Sequence, residues 1–183
     1  MLTTARLLLR GWRESDRAPF AAMNADPQVM RHFAAPLTRE ESDAMIDRCI
    51  AHDREHGFTF FAVELRENGA FLGLTGLARP SFEAHFTPCV EIGWRISRDH
   101  WNRGYATEAA RECLRFAFED FGLKEVVAFT VPANVASRRV MEKLGMTRSP
   151  TDDFDHPRLP DGHPLRRHVL YRVAPASYDG RSG

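Results

Sequence analysis

Between Trp101 and Glu108 the sequence WNRGYATE sets a turn-forming Arg-Gly before a helical run, with no Ser, Asp or Asn in the usual capping position. A helix start without a side-chain cap leaves its first backbone N–H groups unpaired, and such a start attracts anions through those amides and the helix dipole. Arg103 adds positive charge, and the small residues Gly104 and Ala106 would let a diphosphate approach the amides from Arg103 to Glu108. Taken alone, the stretch fits an ordinary strand-to-helix connection as well as an anion site. It lacks the Lys-Ser or Lys-Thr of a Walker loop and the GxGxxG of a dinucleotide fold. Glu108 suits the helix dipole but sits awkwardly beside an anion.

Other residues could move protons. CVEIGWRIS alternates Val90, Ile92, Trp94 and Ile96 on one face with Glu91, Gly93, Arg95 and Ser97 on the other, so Glu91 lies on the polar face of a strand. It is a candidate base, or a solvated carboxylate like most exposed glutamates. Asp152, Asp153, Asp155, His156, His163 and His168 crowd a proline-rich segment, but their spacing fits no standard site and no metal is expected. Cys49, Cys89 and Cys113 are odd in number, far apart and without a CxxC pair, which argues for a reducing, cytoplasmic setting rather than a disulfide framework. Cys113 reads as helix core.

The elements that must position these residues are legible in the pattern. RLLLRGW (6–12) reads as a first strand, and residues 14–26 as a short helix that Pro27 ends. Thr38 with Glu41 forms a capping box for a helix over 39–56, closed by Gly57. Strands at 58–65 and 71–78 join through Asn68-Gly69 as a hairpin. A helix over 106–121 has a continuous apolar stripe and ends at Gly122. VVAFTV (126–131) has the apolar run of a central strand, Asn134 caps a helix ending at Gly145, and strands are expected at 146–149 and 168–173. The order is mixed α/β around one sheet in one domain over residues 1–173, with residues 174–183 expected to be a disordered tail.

Composition narrows the partners. The 183 residues hold 25 basic and 25 acidic side chains, so no charge imbalance points to nucleic acid or a membrane surface. MLTTARLLLRGW has only three consecutive leucines between arginines, too few for a signal peptide. A homodimer is left open.

EIGWRISRDHWNRGYATEAARECLRFAFEDFGLKEVVAFTVPANVASRRVMEKLGM resembles the acetyl-CoA-binding half of the GNAT N-acetyltransferase superfamily. The likeness is greatest to the branch with the ribosomal-protein N-terminal (alanine) acetyltransferases, whose opening strand and helix TARLLLRGWRESD also resembles. The resemblance implies a mostly antiparallel sheet of about seven strands with one splayed pair, and about four helices. The family pattern Gln/Arg-x-x-Gly-x-Gly/Ala falls on Trp101, Gly104 and Ala106, with Trp101 a departure. The resemblance further implies that the loop amides around Arg103, Gly104, Tyr105, Ala106 and Thr107 take the coenzyme's pyrophosphate. Its pantetheine arm would bond the backbone of Trp94, Arg95 and Ile96, facing residues 129–131.

Asn134 and Ser137 match the branch's Asn-x-x-Ser, which implies contact with the arm and the thioester sulfur, although both also suit a helix start. The tyrosine that many family members use as the acid is absent, since Met141 takes its place, leaving Ser137 or a water. Glu91 is the expected base and the amide near Ile96 the expected oxyanion donor. Loops near the final strands line the acceptor pocket in this superfamily, which makes His156 or Asp155 a second base candidate. The expected function is acetyl transfer from acetyl-CoA, without metal, to a peptide N-terminus or a small-molecule amine. The alternatives are a catalytically inactive acyl-CoA-binding module and a nucleotide-phosphate binder.

Overall fold

A computed structural model of the chain describes residues 1–178. Nine strands form one sheet in the order β1 (Leu2–Thr3), β2 (Leu7–Arg10), β3 (Phe60–Leu65), β4 (Phe71–Ala78), β5 (Glu91–Ile96), β6 (Val126–Thr130), β9 (Arg167–Val173) and β7 (Thr147–Arg148), with β8 (Phe154–Asp155) also on β9. Every neighbouring pair is antiparallel except β5 and β6. The two strands beyond the seven expected come from pieces of only two residues, too short to leave a periodic signal.

Five helices, α1 (Arg17–Ala25), α2 (Pro27–Met30), α3 (Arg39–His56), α4 (Tyr105–Arg115) and α5 (Val135–Lys143), replace the expected four. Pro27 opens a helix as well as ending one: it occupies the first turn of α2, where no N–H is needed, and the Asp26 carboxylate accepts from the Gln28 amide at 2.8 Å. The Thr38–Glu41 box and Gly57 at φ 76° bound α3 at the expected residues. The expected single helix through Phe121 gives way at Phe116 to a π-helical turn over Phe116–Asp120. There Arg115 is tied to Glu112, Glu119 and Asp120, and Phe116 and Phe121 meet edge to face.

Helices cover both faces of the sheet. On one, Ala109, Ala110, Cys113 and Leu114 of α4 and Met141 of α5 join Leu7, Leu9, Val63, Ile92 and Val126 in the main core. On the other, Phe20, Met23 and Ile46 pack on Leu74, while Phe86, Phe154, Val127 and Leu170 form a separate aromatic patch below the loop after β4. Residues 174–178 correct part of the expected disordered tail: Pro175–Ser177 form a 3-10 turn, and the Tyr178 hydroxyl donates to the Arg111 carbonyl at 2.8 Å. Residues 179–183 lie outside the described residues.

A buried ion pair fixes the end of β2 to the turn that enters α1. The Arg10 guanidinium meets both Asp16 oxygens at 2.7 and 2.9 Å and Glu64 at 2.7 Å, while the Arg13 amide donates to Asp16. Burial alone would raise the Asp16 carboxyl, but the bonds from Arg10 and Arg13 outweigh it and hold the group below the usual carboxylate range. Asp16→Ala should cost about 3 kcal/mol in urea unfolding, because it strands part of a buried guanidinium charge; Glu64 keeps the loss toward the lower end of such cases.

Candidate active site

The chain enters α4 through left-handed backbone at Asn102 (φ 60°) and Gly104 (φ 81°). Gly104 occupies the N-cap position and no side chain caps the helix, so the first-turn amides of Tyr105, Ala106 and Thr107 have neither a helical nor a side-chain acceptor. The exposed Arg103 lies at the mouth of this turn. Tyr105 offers only its backbone there, for its ring is buried in the core with the Arg6 guanidinium 4.6 Å above it.

The awkward carboxylate of Glu108 is spoken for. It accepts from the Thr4 hydroxyl at 2.5 Å, the Arg6 amide at 3.0 Å and Arg6 Nε at 2.7 Å. Burial alone would raise its carboxyl, but these bonds hold it low and ionised, with its charge neutralised by Arg6. Arg6 Nη1 also donates to the Arg103 carbonyl at 3.1 Å, so the turn between β1 and β2 clamps the start of α4. Spacing in the sequence gave no sign of this clamp, since Arg6 and Glu108 are 102 residues apart.

β5 and β6 touch at one register only, Glu91 beside Val127, with the Val127 amide donating to the Val90 carbonyl at 3.0 Å. Beyond that point they diverge. The Ser97 amide bonds the Leu72 carbonyl and Arg95 pairs with Leu74, so alternation turns the backbone of Gly93 and Arg95 toward β4 and that of Ile92, Trp94 and Ile96 toward the gap. Arg95 therefore departs from its expected place: its backbone faces β4 and its side chain reaches Asn24 Oδ1 at 2.5 Å on α1. Trp101, where the family pattern has Gln or Arg, donates its indole N–H to the Ile96 carbonyl at 2.7 Å. The Ile96 amide and both polar groups of Trp94 remain directed at the gap.

At the apex of this gap stands Glu91. Its carboxylate has no hydrogen-bond partner among the described residues, and burial raises it to about 7 against the pull of Arg158. Across the gap Asn134 caps α5 by accepting from the Ser137 amide at 3.2 Å and donates one amide hydrogen to Thr130 Oγ1 at 3.0 Å, which leaves one hydrogen unassigned. Ser137 is half-buried, and Met141 is sealed in the core.

The Glu91 face of the sheet opens on a cleft lined by His32, Phe33, His156, Arg158, Leu159, Leu165 and His168. Burial lowers the His32 and His168 imidazoles; burial, with the nearby His168 and Arg158, brings His156 to about 4. Phe33 lies 4.2 Å from the Arg95 guanidinium, whose Nε is buried without a partner. The acidic residues of 152–155 are turned away: Asp152 pairs with Arg172, Asp153 with Arg148 and Asp155 with Arg167. Among the described residues no group of three or more His, Cys, Asp or Glu side chains could hold a metal ion. Arg158, Leu159 and Leu165 were not expected here, because only the return of residues 156–168 brings them to the cleft, and His32 reaches it from the turn after α2.

The arrangement can hold an anion at the start of α4, admit a linear chain between β5 and β6, and accept a proton at the apex. Residues 6–147 match the family described as acetyltransferase (GNAT) domain. The FsC-acetyl coenzyme A-N(2)-transacetylase of Aspergillus fumigatus is 35% identical over 167 residues, 85% of this chain and 69% of that protein. The uncharacterized N-acetyltransferase YnaD of Bacillus subtilis is 30% identical over 173 residues, 94% of this chain and 95% of that protein. A GNAT-family acetyltransferase structure from Bacillus anthracis superposes with a TM-score of 0.78 at 25% identity, covering 94% of this chain and 97% of that one. Fold and relatives together make the chain an acyltransferase enzyme. It belongs to the GNAT acetyltransferase family.

The left-handed turn makes a test of the loop. At φ 81° any side chain at Gly104 is strained, so Gly104→Ala should lose about 1–2 kcal/mol of stability in thermal unfolding, before any effect on a ligand.

Proposed function

We propose that the enzyme moves an acetyl group from acetyl-CoA to a primary amine in one ternary complex, with Glu91 as the base. The observation that carries this reading is the placement of an unpaired carboxyl, held near 7 by burial, where β5 and β6 part. The name of the Aspergillus relative, which joins acetyl coenzyme A to an N(2)-transacetylase, supports the donor. In this reading the pyrophosphate takes the amides from Arg103 to Thr107, and the pantetheine arm runs along the gap-facing backbone of Trp94 and Ile96. Asn134 offers the arm its remaining amide hydrogen. The free thiols of Cys49, Cys89 and Cys113 suit action in the cytoplasm.

The acceptor arrives mostly as an ammonium ion, and Glu91 takes a proton from it, either directly or through a water. The freed nitrogen pair attacks the thioester carbonyl, the new C–N bond forms, and the C–S bond breaks with its electron pair leaving on sulfur. The Ile96 amide, directed into the gap, stabilises the oxyanion. The second proton that the nitrogen sheds as it becomes an amide passes through Ser137, or a water it holds, to the thiolate, a leaving group stable enough to need only a weak acid. A base near 7 is well matched to neutral pH, being ionised in about half the molecules while still holding a proton well.

Glu91→Gln tests the assignment with two signals. Activity should fall by about 100-fold or more in a thiol-release assay, and the wild-type rise of kcat/KM through pH 7 should vanish while the acceptor's own, more alkaline titration persists. The second signal is stability. A carboxyl raised from its unfolded value to about 7 gives its full contribution below about pH 4 and loses it as pH climbs through 7. The Gln variant should therefore be the more stable protein at pH 8, by up to roughly 3 kcal/mol. A merely solvated glutamate would change neither; activity within twofold of wild type would refute the assignment.

A further inference from the structure

Apart from Glu91 on the adjoining strand, the charge around the acceptor cleft is of one sign. Arg158 lines it, the Arg95 guanidinium lies directly behind Phe33, and neither has a carboxylate partner among the described residues. The hydrogen bonds of Arg158 go to the Ser81 carbonyl at 3.3 Å and hydroxyl at 2.5 Å, both uncharged. No described carboxylate lines the cleft, since Asp155 is turned to Arg167. The remaining walls are apolar or aromatic: Phe33, Leu159, Leu165 and His32, with the rings of His156 and His168 tilted at 49° and their centroids 5.0 Å apart. Burial keeps both imidazoles uncharged at neutral pH, so they add flat surface rather than charge.

Charge complementarity decides what such a cleft accepts. A polyamine carries further ammonium groups after the reacting one, and these would meet guanidinium groups with no acid to receive them. A carboxylate beside the amine would satisfy Arg158, which can make charge-assisted hydrogen bonds in the fork geometry that a carboxylate fits. Arg158 also pulls on the Glu91 carboxyl, so the two groups that would hold the two ends of an amino acid lie within electrostatic reach of each other.

We propose that the acceptor is a small amino acid-like molecule, its amine at Glu91, its carboxylate on Arg158, and an apolar or aromatic body against Phe33, Leu159, Leu165 and the His156–His168 pair. The assignment rests on the transferase reading above and adds the acceptor's chemical class to it. It selects a free α-amino acid over a peptide N-terminus, whose neighbouring group is a neutral amide, and over a polyamine.

The test is thiol release from acetyl-CoA with L-phenylalanine, L-phenylalaninamide, glycine and spermidine, beside thermal protection by acetyl-CoA alone. kcat/KM for L-phenylalanine should exceed that for its amide and for glycine by about tenfold or more, and spermidine should be slower still. The comparison is severe, because the amide has the less basic amine and free-base chemistry alone favours it. Arg158→Met should bring the acid-to-amide ratio close to one, and Arg158→Lys should restore part of it. Equal or faster turnover of the amide or spermidine, or an unchanged ratio in Arg158→Met, overturns the acceptor assignment and leaves the transferase reading intact. Protection by acetyl-CoA with no turnover of any of the four amines likewise overturns the acceptor assignment alone, whereas no protection by acetyl-CoA and no thiol release removes the acetyl-CoA reading and the acceptor assignment with it.

Discussion

In a sheet that is otherwise antiparallel, β5 and β6 run parallel and touch at a single register, Glu91 beside Val127. A parallel pair cannot be closed by a hairpin; it needs a crossover, here the segment that contains α4. The crossover sets the start of α4 just beyond the last residue of β5, where the two strands have already drawn apart. Gap, uncapped helix start and apex glutamate are thus three consequences of one connection. The rest of the fold serves to hold that divergence open: α4 packs Ala109, Ala110 and Cys113 on the sheet from one side, and α1 and α3 cover the other.

The electrostatics of the site follow from burial without pairing. Glu91 and Arg95 lie on the same face of β5, both largely withdrawn from water and neither matched by an opposite charge, and each is shifted toward its neutral form. Elsewhere the chain pairs its buried charges closely, as Arg10 with Asp16 and Glu64, and pairs the partly buried Glu108 with the exposed Arg6. The contrast has a physical meaning: paired charges stabilise local geometry, whereas an unpaired buried one costs stability and stays available for chemistry. The clamp from Arg6 to Glu108 shows the two uses side by side, since neutralising that carboxylate leaves the start of α4 electrostatically open.

Much of this was legible along the chain. The capping box at Thr38 and Glu41, the Asn-Gly hairpin, the alternation through β5 and the apolar stripe of α4 each depend on neighbours within a few residues, and each element formed where its pattern lay, α4 as far as Arg115. Glu91 as a carboxylate on the polar face and Gly104 as the hinge before α4 were readable for the same reason. Local chemistry also explains the departures. Pro27 opened a helix because Asp26 caps it, and two-residue strands carry no period to read.

Residue order and type settled the longer elements, which face of β5 carries acid and base, and that the first turn of α4 has no side-chain cap. Long-range packing settled everything that depends on distance: that Arg6 reaches Glu108, that Trp101 occupies the Ile96 carbonyl, that Arg95 turns to α1 rather than the gap, and that Arg158 meets the cleft. It also set the state of Glu91. A glutamate on a strand has the same sequence signature whether it is bathed in water or enclosed. Only the folded protein around it, with β6 alongside at Val127, removes enough solvent to hold its proton near neutrality.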